Sequence, residues 1–183
     1  MTKQQQRREA EAARAALDPR ERQAASQEIC RQLLCLPELQ GVSCVFSYRA
    51  MEQEADASML HEWLQERGVR LAFPLCLPGG EMEARVPGGW KRGAYGIWEP
   101  DPALSPLLAP EEIQVALVPC VAFDRQNRRL GHGAGYYDRY LPRCPQALTV
   151  ALAFEAQRLE RLVCQPHDRI MDLVVTERGV YRK

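Results

Sequence analysis

Residues 129–139 read Arg129-Leu130-Gly131-His132-Gly133-Ala134-Gly135-Tyr136-Tyr137-Asp138-Arg139. Glycine has no Cβ and accepts positive φ, so backbone N–H groups in such an alternating run can close around an anion. A helix opening at Tyr136 would add the partial positive charge of its N-terminus. Arg129 and Arg139 flank the run with planar donor forks that match phosphate oxygens. Tyr136 and Tyr137 offer rings for stacking. Asp138 is an oxygen ligand of the kind magnesium takes together with phosphate and water. The run is neither a Gly-Lys-Ser/Thr loop nor a G-x-G-x-x-G fingerprint. Its glycines alone fit a tight strand-to-helix turn equally well; the Tyr-Tyr-Asp-Arg sequence that follows shifts the balance toward a ligand.

Helices and strands must position this run. Residues 4–16 are good helix formers. Asp18, Pro19 and Glu21 mark the start of a second helix through an N-cap, a first-turn proline and a capping box, and Pro37 ends it. Residues 42–48 read as a strand, 56–67 as a helix closed by Gly68, and 69–73 as a strand ended by Pro74. A short strand is expected near 82–86 and a strongly apolar one over 115–123. Further helices are expected at 136–141 and 156–163, and further strands at 148–154 and 173–176. Apolar strands alternating with helices predict an α/β fold, a mostly parallel sheet with helices on both faces. No internal repeat or linker divides the chain, so residues 1–183 are expected to form a single domain.

Composition narrows the function. Lys+Arg and Asp+Glu both total 24, so no net basic field exists to collect nucleic acid or an anionic membrane. The seven cysteines are odd in number, and they contain no Cys-x-x-Cys and no zinc spacing. They read as small core residues of a reducing compartment, which points to the cytoplasm. No apolar run approaches the ~20 residues needed to span a bilayer.

The stretch from Phe123-Asp124 through Arg139 resembles the signature of the 5-formyltetrahydrofolate cyclo-ligase family, with its Phe-Asp, Arg-Leu-Gly, Gly-x-Gly and Gly-Tyr-Tyr-Asp elements. Four other segments agree in order. Lys3 and Arg7 resemble an N-terminal Lys-x-x-x-Arg. Residues 51–56 resemble a folate-contacting segment, and residues 95–100 a Gly-Ile-x-Glu-Pro element. His167-Asp168, Asp172 and Thr176-Glu177 resemble the C-terminal end.

The resemblance implies a three-layer, Rossmann-like domain of the architecture shared with sugar-phosphate isomerases and CoA transferases. It also implies ATP- and Mg2+-dependent closure of 5-formyltetrahydrofolate to 5,10-methenyltetrahydrofolate. By the same resemblance Lys3, Arg7 and residues 129–137 hold ATP. Met51, Glu54, Asp56 and residues 132–136 face folate, Asp138 and Asp172 hold magnesium, and Arg139 compensates transferred phosphoryl charge. Lys3 and Arg7 sit four apart and share one helix face. Each residue also has a plainer reading: a solvated terminus for Lys3 and Arg7, core packing for Met51, a helix cap for Asp56, a local ion pair for Asp138, and a turn for Asp172. Glu99, ahead of Pro100, receives no ligand role. Ala134 stands where relatives carry Gly or Lys, and positive φ there would be strained. The partners expected are small molecules only, bound to a monomer. The rival functions are a non-catalytic folate- or nucleotide-binding regulator and a sugar-phosphate isomerase-like enzyme.

Overall fold

Two capping boxes fix the first helices. Thr2 Oγ1 accepts from the Gln5 amide while Gln5 Oε1 accepts from the Thr2 amide, opening α1 (Lys3–Ala15). Asp18 accepts from the Arg20 and Glu21 amides, and Glu21 returns a bond to the Asp18 amide, opening α2 (Pro19–Leu34). The computed structural model describes residues 1–183. In chain order the remaining elements are β1 (Cys44–Phe46), α3 (Ser58–Glu66), β2 (Arg70–Cys76), β3 (Met82–Arg85), β4 (Trp90–Arg92), β5 (Trp98–Pro100), β6 (Leu107–Leu108), β7 (Val115–Pro119), β8 (Ala122–Phe123), β9 (Arg129–Leu130), α4 (Tyr136–Tyr140), β10 (Leu148–Leu152), β11 (Leu173–Thr176) and β12 (Gly179–Arg182). No helix is long and apolar enough to cross a membrane.

One eight-stranded sheet runs in the order β12-β11-β10-β7-β1-β2-β3-β6. The five central strands are parallel, and β12, β3 and β6 add antiparallel edges. The strict alternation of strand side chains splits the core in two. Val45, Val115, Leu117, Val150, Leu152, Leu173 and Val175 face one side, where Ile29 and Leu33 of α2 and Leu60 and Leu64 of α3 cover them. Ala72, Ala116, Val118, Ala151 and Val174 face the other side, beneath Tyr140 and Leu141. The alanines leave room there for the Phe46 and Tyr140 rings, whose centroids lie 5.3 Å apart. α1 packs apart from both layers, through Ala10 on Val121, Ala122, Leu130 and Leu162.

Three expectations about elements need correction. Pro74 does not end its strand: β2 continues to Cys76. Pairing with β1 stops at Ala72, so from Pro74 onward that side is an open edge where a missing N–H costs nothing. The apolar run 115–123 is not one strand. It leaves the sheet after Pro119, and Ala122–Phe123 pairs instead with Arg129–Leu130 in a separate hairpin. Residues 156–163 form only a short turn at Glu155–Gln157. Tertiary acceptors take their amides: Leu159 N–H donates to Phe123 O, Leu162 to Asp124 Oδ2, and Val163 to Gln6 Oε1. The β4–β5 hairpin and the strands β6, β9 and β12 carried no usable period, being two to four residues long.

Candidate active site

A cleft of about 480 Å³ opens beyond the carboxyl ends of β1 and β7, where ligands sit in open α/β sheets. Its first wall is the glycine segment. Asp124 aims that segment: Oδ1 accepts from the Gln126 and Arg128 amides, and Oδ2 from Arg128 Nε and the Leu162 amide. These bonds close the β8–β9 hairpin around Asn127, which has φ 55°, and set Arg129 on the cleft floor.

None of the amides of Gly131 to Gly135 donates a hydrogen bond within the chain. The carbonyls of the same loop are held instead by guanidinium groups. Arg7 Nε donates to Gly131 O at 2.7 Å, and Arg139 Nη2 to Ala134 O at 2.7 Å. Left-handed backbone falls on Gly133 (φ 104°) and Gly135 (φ 73°), where a side chain would be strained. Ala134 has no positive φ, so the substitution expected to strain the loop does not. α4 has only five residues, so the helix macrodipole expected from sequence is a minor contribution. Arg129 is 5% exposed. Its Nη2 lies 3.4 Å from Asp138 Oδ1, and its Nε, buried, has no partner. A buried guanidinium so incompletely paired is costly unless an anion joins it.

α1 brings its basic face to the same wall. Gln6 clips the helix down by donating to Arg161 O and accepting from the Val163 amide. Lys3 Nζ pairs with Asp168 at 2.5 Å. Burial alone would raise the Asp168 carboxyl; the Lys3 ammonium and the Gln165 amide overcome this and hold it below its usual range.

The facing wall is collected from distant segments. Glu54 is buried, with Oε2 accepting from the Met51 amide at 2.9 Å and Oε1 2.8 Å from His132 Nε2. His132 therefore ties the glycine loop to this wall. Tyr48 donates to Ala55 O at 2.6 Å and fixes the turn that carries Met51 and Glu54. Burial pushes the Tyr48 and Tyr137 hydroxyls up, so both stay neutral. The β4–β5 hairpin crosses above: Trp90 packs edge-on to Phe73, and the Tyr95 hydroxyl lies 3.4 Å from that of Tyr136. That shared hydrogen bond, then burial, pushes the Tyr136 hydroxyl up to about 12.

Lys3, Arg7, Met51, Glu54 and residues 129–138 line this one cleft. Three residues assigned from sequence do not. Asp56 is exposed, and its Oδ1 accepts from the Ser58 amide and hydroxyl, which holds the first turn of α3. Asp172 lies just before β11, at the amino ends of the strands, opposite the cleft. Its Oδ2 accepts from the Thr149 amide and hydroxyl at 2.9 and 2.8 Å, so it cannot share an ion with Asp138. Arg139 is exposed and spends its guanidinium on Gly80 O and Ala134 O, pinning one loop to another. It positions the cradle and does not reach into it. No cluster of three His, Cys, Asp or Glu side chains could hold a metal unaided. Magnesium, which needs only one or two carboxylates beside phosphate and water, still fits Asp138. Sequence reasoning passed over Cys76 and Glu99, which the structure brings to the cleft. Glu99 had one signal, the Gly-Ile-x-Glu-Pro resemblance of residues 95–100, and Cys76 had none.

Residues 1–177 match the sequence profile described as the 5-formyltetrahydrofolate cyclo-ligase family. A protein of Haemophilus influenzae named 5-formyltetrahydrofolate cyclo-ligase is 29% identical, over 94% of this chain and 97% of its own. Its namesake in Mycolicibacterium smegmatis is 32% identical over 74% of this chain and 75% of its own. The solved structure of Aquifex aeolicus 5,10-methenyltetrahydrofolate synthetase superposes with a TM-score of 0.86 at 33% identity, covering 100% of this chain and 93% of that one. With the profile matched across nearly its whole length and the fold shared, this chain belongs to the 5-formyltetrahydrofolate cyclo-ligase family.

Proposed function

We propose that this chain converts 5-formyltetrahydrofolate to 5,10-methenyltetrahydrofolate, with ATP as co-substrate and release of ADP and phosphate. An amide-like formyl oxygen leaves poorly; phosphorylated, it leaves well. The protein must then hold two ligands in line and compensate charge on the transferred phosphoryl group. The observation that carries this reading is the run of unpaired amides from Gly131 to Gly135 beside the buried, incompletely paired Arg129.

In this reading the loop amides, Leu130, Tyr136 and Tyr137 enclose the polyphosphate while Arg129, Lys3 and Arg7 neutralise it. Lys3 would exchange Asp168 for phosphate. Asp138 would hold Mg2+, which screens phosphate charge when bound. Glu54 accepts N–H groups from the pterin, with Met51 against its ring and His132 fixing the carboxylate. The aromatic residues of the facing wall exclude water from the reacting atoms. Purified protein mixed with 5-formyltetrahydrofolate and Mg-ATP is expected to give the methenyl product by absorbance. A folded protein that gives none, at any ATP concentration, removes the reading.

A further inference from the structure

Glu99 is the carboxylate of the cleft that nothing neutralises. It is 8% exposed, lines the cleft from β5, and forms no ion pair. The other acidic groups there are engaged: Glu54 with His132 and the Met51 amide, Asp138 with Arg129, and Asp168 with Lys3. Glu99 accepts from the Cys76 amide at Oε1, 3.2 Å away, and its carboxylate also accepts from the neutral Cys76 thiol. Its head is nonetheless fixed in place. It packs on the bare Cα of Gly93, where a built Cβ would lie 2.3 Å from Oε2. The Cys76 thiol sits between Glu99 and the Tyr136 hydroxyl. Burial, then the Glu99 charge, pushes that thiol up to about 12, so Cys76 is neither nucleophile nor base here. Tyr136 directly follows the glycine loop, so this carboxylate stands beside the phosphate cradle.

A buried carboxylate with no cation partner, held only by one amide and one neutral thiol, calls for an N–H donor or a cation from the ligand. The proposed reaction supplies both in one step. We propose that Glu99 is the general base of ring closure; this rests on the activity proposed above. The folate nitrogen's lone pair forms the new C–N bond at the carbon of the phosphorylated formyl group. The C–O bond to phosphate breaks, and phosphate leaves with that electron pair. The nitrogen's proton passes to the Glu99 carboxylate, which later yields it to water. The methenyl product keeps one positive charge, which the surrounding carboxylates stabilise. Glu54 is a poorer base, because the Met51 amide and His132 already engage its two oxygens and its remaining lone pairs are assigned to the pterin N–H groups.

The test is Glu99→Gln in the full chain, which keeps the oxygen that accepts from the Cys76 amide and removes only the basic site. Methenyl formation is followed by absorbance across pH, with thermal melting as the control on folding. The expected result is kcat lower by about a hundredfold or more, KM for both substrates within about threefold, and loss of the acid limb of the wild-type pH profile. A folded variant with kcat within about threefold of wild type, or one impaired only through KM, overturns the assignment. A wild-type chain that makes no methenyl product overturns the proposed activity and this inference with it.

Discussion

The two walls of the cleft are built in opposite ways. The wall proposed to hold phosphate is one continuous stretch, residues 129–138, whose conformation comes from glycine φ values and from guanidinium groups that hold its carbonyls. The facing wall gathers Tyr48, Met51, Glu54, Phe73, Cys76, Tyr95 and Glu99 from segments that meet only through sheet register and a crossing hairpin. A contiguous wall needs local geometry and a few anchors. A dispersed wall needs the whole sheet to be in register first, so its chemistry is only as secure as the packing under it.

Arg129 is where the continuous wall concentrates its charge. Arg129→Met, close in volume and uncharged, is expected to lower kcat/KM for ATP by about 100- to 1,000-fold while the fold persists. Steady-state kinetics with ATP varied will show it, and an effect confined to folate would place the phosphates elsewhere.

The dispersed wall is expected to be the acid-sensitive one. His61 of α3 packs edge-on to Phe73 at 5.1 Å and shares a hydrogen bond with Ser47 Oγ. Burial lowers it from 6.5 to about 4. The unfolded chain therefore binds more protons between those values. His61 contributes its stability in full above pH 6.5, and the contribution falls as pH drops toward 4, by on the order of 3 kcal/mol. Chemical denaturation at pH 7 and pH 4 measures the loss. His61→Gln, which keeps a hydrogen-bonding head without titrating, should flatten much of the slope; an unchanged slope places the acid sensitivity elsewhere.

Glu54→Gln tests the charge of the dispersed wall. Loss of a charged acceptor is expected to raise KM for the folate by about tenfold to a hundredfold with little change in KM for ATP. A matched rise in both would show that His132 transmits Glu54 to the loop, and the two walls would then be one unit.

The smallest effect is expected outside both walls. Asp172→Asn weakens the bonds to Thr149 and should cost stability of about 1 kcal/mol, with turnover per folded molecule unchanged. Metal-dependent loss of turnover in a folded protein would return Asp172 to the site.

Features local both in space and along the chain could be read from the order of residues. The capping box at Asp18, the helix formers of residues 4–16, the parallel apolar strands, the glycine run with its flanking arginines and the family signature were all legible, because each shows in residues a few places apart; the Thr2 capping box was not read from sequence. Tertiary structure decided the rest. It carried β2 through Pro74 by leaving that edge unpaired, dissolved the expected helix at 156–163 by taking its amides, and split 115–123 after Pro119. It sent Asp172 to the amino ends of the strands, gave Asp56 to a helix turn, turned Arg139 outward as a clamp, and brought Glu99 in without a cation partner. A residue type announces what chemistry it can do. Which end of a strand it occupies, and which partner reaches it first, depends on register and on contacts between residues far apart in the chain, and no local pattern encodes these.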